Sequence, residues 1–152
     1  MQIPITRWTL ALLTAVMLHA SATAEEAQPG GTADHIAIQG YDVVSYFTDG
    51  KPVKGTPTHE VAFDDVKWWF KNATHQEMFN ADPERYLPQY GGFCAGGKAM
   101  GVTVRANPDN WVIVDGKLYM VSGGRANLEE WKAHAAENIK AADKVWAEQT
   151  LQ

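Results

Sequence analysis

The chain has 152 residues, of which 45% are hydrophobic, with a formal net charge of −5 and a single cysteine. Because proteins that bind nucleic acids usually carry a basic surface, this acidic balance argues against such a partner. The length suits one domain with a modest core, and a single thiol excludes an intramolecular disulfide.

The first 24 residues are predicted to be a secretory signal peptide. Arg7 supplies a positive charge, a short apolar run follows, and Ala-Thr-Ala ends at Ala24 in the pattern that signal peptidase cleaves. The apolar run is shorter than the roughly 20 residues that span a bilayer. We therefore expect a flexible leader over residues 25–34 and a periplasmic or secreted domain over residues 35–148, without stable membrane insertion after cleavage.

Two segments in the first half of this domain carry β signals. Residues 35–47 cluster apolar and aromatic side chains around Gly40, which indicates one or two short strands broken by a turn. Residues 60–71 alternate apolar and polar positions on both sides of Asp64-Asp65. This alternation predicts a β-hairpin whose turn type the sequence leaves open.

A short central helix is predicted next. Thr74 and Glu77 have the spacing of a capping box, in which both side chains accept backbone N–H groups at a helix start. The helix should end near Asp82, because Pro83 disfavours helical dihedral angles in the residue before it. Asp82 can then cap a second helical turn that begins with Pro83 and is closed by Pro88.

The C-terminal part combines a hairpin with a helix. Residues 111–121 place two β-rich runs around an Asp-Gly pair, which predicts a type I′ hairpin. Asn127 and Glu130 form a second capping-box spacing, and apolar residues then recur every three or four positions as far as Trp146. The expected fold is a small α+β domain: an antiparallel sheet of two hairpins, a short central helix and a long amphipathic C-terminal helix whose two tryptophans face the sheet.

Cys94 stands between two pairs of glycines. Because glycine has no Cβ, backbone amides can approach the sulfur closely and stabilise the thiolate, the form that reacts as a nucleophile or binds metal. Lys98 and Arg105 are close enough in sequence to add positive charge. A buried, silent thiol packed under aromatic rings is an equally weighted alternative. The predicted binding loop consists of Tyr90, Gly91, Gly92, Phe93 and Gly96.

A soft metal ion is one predicted ligand of this cysteine. Thiolate, imidazole and thioether ligands together suit copper, and zinc is the alternative. We take Cys94, His75 and Met100 as the candidate ligands, although no spacing is diagnostic and a solvated surface position is the commoner state of His75 and His134. The motifs CxxC, CxxCH, GxSxG and HExxH are missing. A Cys-His hydrolase stays open, because such a pair needs only to meet in space.

Four motifs together resemble the exported branch of the YHS-domain family, a bacterial group that includes selenoproteins. They are QGYDVVSYF, the strand WWF, MFNADPERYLPQYGGFCA and WVIVDGKLYMV. The resemblance covers nearly all of residues 35–146 and implies a compact α+β domain exported to the periplasm. Related YHS domains accompany copper-transporting ATPases and other metal-handling or oxygenase proteins, which implies metal binding with copper first.

The chain departs from the usual YHS pattern at two places. Related domains commonly place one cysteine after an Asp-Pro-Val near the first strand and others after the aromatic strand. This chain has Asp42-Val43-Val44 and Lys71-Asn72 there, so the usual thiolate ligands are missing. Selenocysteine in the family, if it occupies the position of Cys94, would imply redox chemistry at that atom.

Three hypotheses follow for the function. In the first, Cys94 binds copper or zinc, alone or for a metal-handling partner protein of the periplasm. In the second, Cys94 cycles through sulfenic acid or a mixed disulfide with a periplasmic redox partner, which predicts rapid reaction with peroxide. In the third, the domain is a non-catalytic structural or partner-binding module with an unreactive thiol.

Overall fold

Two β-hairpins and a set of mostly short helices make up residues 35–151, the part of the chain that the computed structural model describes. The predicted signal peptide and the whole of the predicted leader lie outside these residues. Within them, no helix combines the length and the apolar character needed to cross a membrane. The α+β class predicted from the sequence is confirmed.

The first hairpin is confirmed. Strand β1 (Thr56–Phe63) pairs antiparallel with β2 (Val66–Phe70). Asp64 and Asp65 both have left-handed backbone angles, with φ of 55° and 58°, as a type I′ turn requires. Alternate residues of β2 are buried, so one face of this hairpin packs into the core.

The segment before this hairpin differs from the prediction. Residues 35–47 contain a 3-10 turn (Ile38–Gly40) and the first turn of helix α1 (Ser45–Thr48), and they join the strands only through isolated bridges. The prediction of strands here is wrong. The reason is Asp42, whose buried carboxylate accepts the two backbone N–H groups at the start of α1 and so curls the chain.

The central helices begin where other side chains cap them. Helix α2 (Ala73–Ala81) is capped by Asn72, whose side chain accepts the backbone N–H of His75 at 2.9 Å. The predicted cap Thr74 is therefore wrong, because Asn72 offers an acceptor before the helix begins. Helix α3 (Pro83–Tyr86) starts with proline as predicted. The predicted Asp82 cap makes no side-chain cap bond, although α2 ends just before that residue.

The second hairpin matches its prediction. Strand β3 (Asn107–Val114) pairs antiparallel with β4 (Lys117–Val121), and the turn residues Asp115 and Gly116 have φ of 50° and 76°. Both angles are left-handed, as in type I′. The two hairpins form two separate two-stranded sheets, so the prediction that they build a single antiparallel sheet is wrong. Between them in sequence lies the short helix α4 (Ala95–Ala99).

The C-terminal helical segment is broken once. Helix α5 (Arg125–Ala133) and helix α6 (Ala135–Thr150) meet at His134, whose φ and ψ of −123° and 28° leave the helical range. The Asn138 side chain donates to the carbonyl of Trp131 across the break at 3.2 Å. That carbonyl belongs to the last turn of α5, where backbone carbonyl groups lack the N–H partner of a regular helix. Apolar periodicity does not reveal such a break.

The two tryptophans of this segment have different neighbours. Trp131 packs on Tyr119 of β4 with ring centroids 5.5 Å apart, so it faces a sheet as predicted. Trp146 instead contacts Tyr90, at 6.0 Å, because α6 packs along α4. The predicted cap Asn127 is also wrong, since α5 begins two residues earlier.

Candidate functional site

The chain reaches Cys94 through a turn of three left-handed residues. Tyr90, Gly91 and Gly92 have φ of 57°, 63° and 78°. A Cβ on Gly92 would lie 3.0 Å from an isoleucine side chain, so glycine is needed there. The Tyr90 hydroxyl donates to Asp143 at 2.8 Å, and burial raises the pKa of this phenol.

The cysteine itself caps a helix. The predicted Gly-rich loop contains the end of a 3-10 turn (Gln89–Gly92), then Phe93 and Cys94, and then the start of α4 at Ala95. Cys94 Sγ accepts the N–H of Gly97 at 3.4 Å and the N–H of Ser122, just after β4, at 3.2 Å. Two backbone dipoles from different elements therefore point at the sulfur and stabilise negative charge on it.

A pocket with a volume of about 460 Å³ lies beside Cys94. The residue is 3% exposed, so its sulfur is sheltered while still forming part of the pocket wall. The apolar part of the wall consists of Ala99, Met100, Val104, Val121 and Ala126. Its polar part consists of Ser122, Asn127, Glu130 and Asn138. The sulfur thus meets a cavity large enough for a small organic molecule.

Trp131 lines the same pocket and also has a buried donor without a partner among the described residues. The residue is 4% exposed, and its Nε1–H has no hydrogen-bond partner within the described part of the chain. Leaving a buried donor without an acceptor costs about 1–3 kcal/mol, so such a group calls for an explanation. Sequence periodicity identified Trp131 as a core residue and contained no signal for this role.

Gly96 separates the indole from the sulfur. A Cβ at this position would lie 3.4 Å from Trp131 Cδ1 and 3.8 Å from Cys94 Sγ. The indole carbon Cδ1 and the sulfur are therefore the atoms that an added side chain would contact. Gly96 is thus the predicted loop residue that lines the pocket. The other four residues of the predicted binding loop lie outside the described pocket wall: Tyr90, Gly91, Gly92 and Phe93.

The three candidate metal ligands are not brought together as a group. Met100 lines the pocket with Cys94 and is 75% exposed. His75 is outside the described wall, and its ring nitrogens contact Asp42 Oδ2 at 2.8 Å and Thr48 Oγ1 at 3.3 Å. Among residues 35–151, no three His, Cys, Asp or Glu residues are grouped as metal ligands.

His75 is a buried residue, so the expectation of a solvated surface position is wrong. It is 5% exposed, and its partner Asp42 is completely buried. The Asp42 carboxylate also accepts the backbone N–H groups of Val44, Ser45 and Lys71, at 2.9, 3.3 and 2.9 Å. This cluster joins α1, the end of β2 and the start of α2, which accounts for the burial of the histidine. His134, by contrast, is exposed.

The basic residues expected near the sulfur have other positions. Lys98 Nζ donates to Thr103 Oγ1 at 2.7 Å and to Gln149 Oε1 at 2.9 Å, and it lies 5.3 Å from the centroid of the Phe93 ring. Burial lowers the pKa of this lysine. Lys98 and the exposed Arg105 are both outside the described pocket wall. The amides of Gly97 and Ser122, and not side-chain cations, are the positive ends of dipoles that contact Sγ.

No protein-family model, no curated protein and no solved structure matches this chain. The resemblance to YHS domains therefore stays a prediction. The chemistry of Cys94, its two amide donors and the adjoining pocket is the basis on which a function can be proposed.

Proposed function

We propose that the protein is a thiol-redox protein in which Cys94 reacts as a thiolate with a small oxidant that enters the pocket. The observation that carries the proposal is the convergence of two backbone N–H groups, from Gly97 and Ser122, on a sulfur that lines a pocket. Fixed amide dipoles stabilise charge on sulfur without rearrangement during the reaction.

A peroxide oxidises Cys94 in one step. The Cys94 thiolate attacks one peroxide oxygen, the S–O bond forms and the O–O bond breaks. The sulfur is oxidised to sulfenic acid, and the departing oxygen takes a proton and leaves as water or an alcohol. Sulfur supplies the two electrons, so no metal is required in this step.

Return to the thiol needs a second molecule, because the chain has one cysteine. An external thiol condenses with the sulfenic acid, giving a mixed disulfide and water. A further thiol then attacks the mixed disulfide and releases Cys94. The reductant is a small thiol or a redox partner protein, and the predicted export would place it in the periplasm.

The test is to trap the sulfenic acid. Purified protein is treated with hydrogen peroxide in the presence of dimedone, and the adduct is located by mass spectrometry. We expect one adduct, on Cys94, which forms faster in the native protein than after unfolding in urea and is missing from Cys94→Ser. A native thiol that stays unmodified until the protein is unfolded would contradict the proposal and support the structural alternative.

Soft-metal binding is the second candidate, supported by the presence of Met100 in the same wall as Cys94. A thiolate and a thioether suit Cu(I). Zinc favours four ligands from Cys, His, Asp or Glu. Among the described residues of the wall, Cys94 and Glu130 are the members of that set. Copper is therefore the better match.

A titration with Cu(I) against a competing chelator tests this candidate. Binding should be lost in Cys94→Ser, weakened in Met100→Leu and retained in His75→Asn, because His75 contacts Asp42 and Thr48. Equal binding by wild type and Cys94→Ser would exclude the site.

A further inference from the structure

We infer that Asp42, His75 and Thr48 form a second reactive site, in which the Thr48 hydroxyl takes acyl groups from small activated esters and His75 accepts its proton. The site lies where α1 ends with Thr48, beside the first turn of α2. All three residues are outside the described wall of the Cys94 pocket. The inference is therefore independent of the proposed thiol chemistry.

Asp42 fixes the orientation of the His75 ring. Its carboxylate is completely buried and accepts the backbone N–H groups of Val44, Ser45 and Lys71. A carboxylate that only accepts hydrogen bonds requires a donor on the ring as well, so the 2.8 Å contact with Asp42 Oδ2 holds the ring proton on Nδ1. The neutral ring then presents the lone pair of Nε2 on its other side.

The Thr48 hydroxyl lies on that other side of the ring. Its Oγ1 is 3.3 Å from His75 Nε2, a distance usual for a nucleophile and its base before a substrate binds. Oγ1 is also 3.1 Å from two other acceptors, the carbonyl of Val44 and Asp49 Oδ1. Because a hydroxyl rotates about its C–O bond, its one proton can be directed to Nε2. Aspartate, histidine and hydroxyl in this order make a nucleophilic triad, which is defined by geometry and not by sequence position.

The nucleophile is accessible, whereas the two groups behind it are sheltered. Thr48 is exposed, while His75 is 5% exposed and Asp42 is completely buried. The turn after α1 leaves open space, since no described atom lies within 4 Å of the point where a Gly50 side chain would begin. An ester can therefore reach Thr48 from solvent.

The charges beside Thr48 favour an uncharged ester. A hydrogen bond from Lys71 lowers the pKa of Asp49, so this carboxylate is charged at neutral pH. An anionic group on the substrate would compete with Asp49 for Lys71, and a cationic group would compete with Lys71 for Asp49. An uncharged ester leaves this ion pair intact, although Asp49 Oδ1 is only 3.1 Å from the nucleophilic oxygen.

The reaction is an acyl transfer followed by hydrolysis. Thr48 Oγ1 attacks the carbonyl carbon, and its proton passes to His75 Nε2. The bond to the leaving alcohol breaks, and the alcohol takes that proton. Water then attacks the acyl-threonine, with Nε2 accepting a proton from water and returning it to Oγ1 as the acid leaves. Ester and water thus give acid and alcohol, without an oxidant or reductant.

The experiment treats the native protein with a fluorophosphonate probe, which forms a stable adduct that mass spectrometry locates. Oγ1 forms a bond to phosphorus, fluoride leaves and the proton passes to His75. We expect labelling of Thr48 to be at least about 100-fold faster than labelling of Thr150, as general-base catalysis predicts. Thr150 is the matched internal control, because it is an exposed helical threonine whose hydroxyl also donates to the carbonyl four residues before it.

Three variants test the roles of the two residues. His75→Gln should lower the labelling rate of Thr48 to about that of Thr150. Thr48→Ser should keep rapid labelling at position 48, because serine retains the hydroxyl. Wild type should hydrolyse p-nitrophenyl acetate, and Thr48→Val should reduce this activity by at least about tenfold.

Equal labelling of Thr48 and Thr150 in wild type would overturn the inference, and this comparison holds even if His75→Gln folds poorly. Rapid labelling of Thr48 in folded His75→Gln, or unchanged ester hydrolysis by Thr48→Val, would overturn it as well. Trapping of a Cys94 sulfenic acid does not involve Thr48, so this inference and the thiol-redox function can fail separately.

Discussion

Gly96 shows at the scale of one residue how a missing side chain can serve a site. Its φ lies outside the left-handed region, and an added Cβ would meet Trp131 and Cys94 at ordinary van der Waals distances. The position lies within α4, where alanine is favoured over glycine. The backbone conformation therefore does not require glycine at this position. Glycine is needed instead to keep the space beside the Cys94 sulfur open.

We predict that Gly96→Ala leaves the free energy of unfolding unchanged or raises it by up to about 1 kcal/mol, because alanine restricts the unfolded chain and favours helix. The same variant should slow alkylation of native Cys94 by iodoacetamide. Urea unfolding and alkylation rates measure the two effects. Gly97→Ala is the contrasting variant, since its Cβ would lie 3.2 Å from the carbonyl oxygen of Val102 and should destabilise the fold. Clear destabilisation by Gly96→Ala would contradict this account.

At the scale of elements, the two hairpins share a turn type but not its residues. The second turn has glycine at φ 76°, whereas the first has Asp65 at φ 58° in the equivalent position. A left-handed conformation is strained for a residue with a Cβ, although aspartate tolerates it better than most. The first turn therefore keeps strain that the second avoids.

We predict that Asp65→Gly raises the free energy of unfolding by on the order of 1 kcal/mol by removing this strain. The reciprocal variant Gly116→Asp should lower it by a similar amount, since nothing lies within 4 Å of the added Cβ and the cost is conformational. Thermal and urea unfolding of both variants provide the measurement. A loss of stability in Asp65→Gly would show that the Asp65 side chain has another role.

Lys98 of α4 contacts α6 through its bond to Gln149 and its position 5.1 Å from the centroid of the Trp146 ring, and it also donates to Thr103. Burial lowers its pKa in the folded protein below the ordinary 10.5. The unfolded chain therefore binds more protons than the folded one between these two pKa values. In that window the contribution of Lys98 to stability rises with pH.

We predict that the difference in unfolding free energy between wild type and Lys98→Met grows in favour of wild type as pH rises toward the ordinary lysine pKa of 10.5. Methionine keeps much of the apolar volume and cannot titrate. Urea unfolding of both proteins across this range measures the difference. Lys132→Met, which replaces a lysine on the exposed side of α5, is the comparison variant. If the stability difference between wild type and Lys98→Met fell as the pH rises, it would contradict a lowered pKa of Lys98.

At the scale of the whole molecule, the buried Asp42 carboxylate connects three separate segments. It accepts two N–H groups at the start of α1, one from Lys71 after β2, and the Nδ1–H of His75 in α2. With every donor directed at one side chain, the cluster holds the first hairpin and its helices in a single arrangement.

We predict that Asp42→Ala lowers the free energy of unfolding by about 3–5 kcal/mol, because it leaves several buried donors without an acceptor. Asp82→Ala is the matched control: Asp82 is exposed, makes no side-chain cap bond and should change stability by less than about 0.5 kcal/mol. Equilibrium unfolding measures both. Comparable stabilities for the two variants would show that the cluster is not a structural centre.

Part of this protein follows from local signals in the sequence. The hairpins do, because strand alternation and an Asp-Asp or Asp-Gly pair act within about a dozen residues. The end of α2 before Asp82 and the start of α3 at Pro83 do as well, since proline restricts its own neighbours. Cys94 could be singled out as the candidate centre because it is the single cysteine of the chain.

The site and the core connections were decided by the tertiary structure. Ser122 donates to a sulfur 28 residues away in sequence, and His75 pairs with an aspartate 33 residues before it. The Trp131 ring of α5 and Gly96 of α4 are far apart in sequence and become neighbours only in the folded chain. Local propensity and periodicity describe the neighbours of each residue along the chain, whereas these contacts arise from packing between elements. For that physical reason, the sequence by itself determined the two hairpins, the boundary between α2 and α3 and the thiol, and the tertiary structure alone decided what surrounds the sulfur.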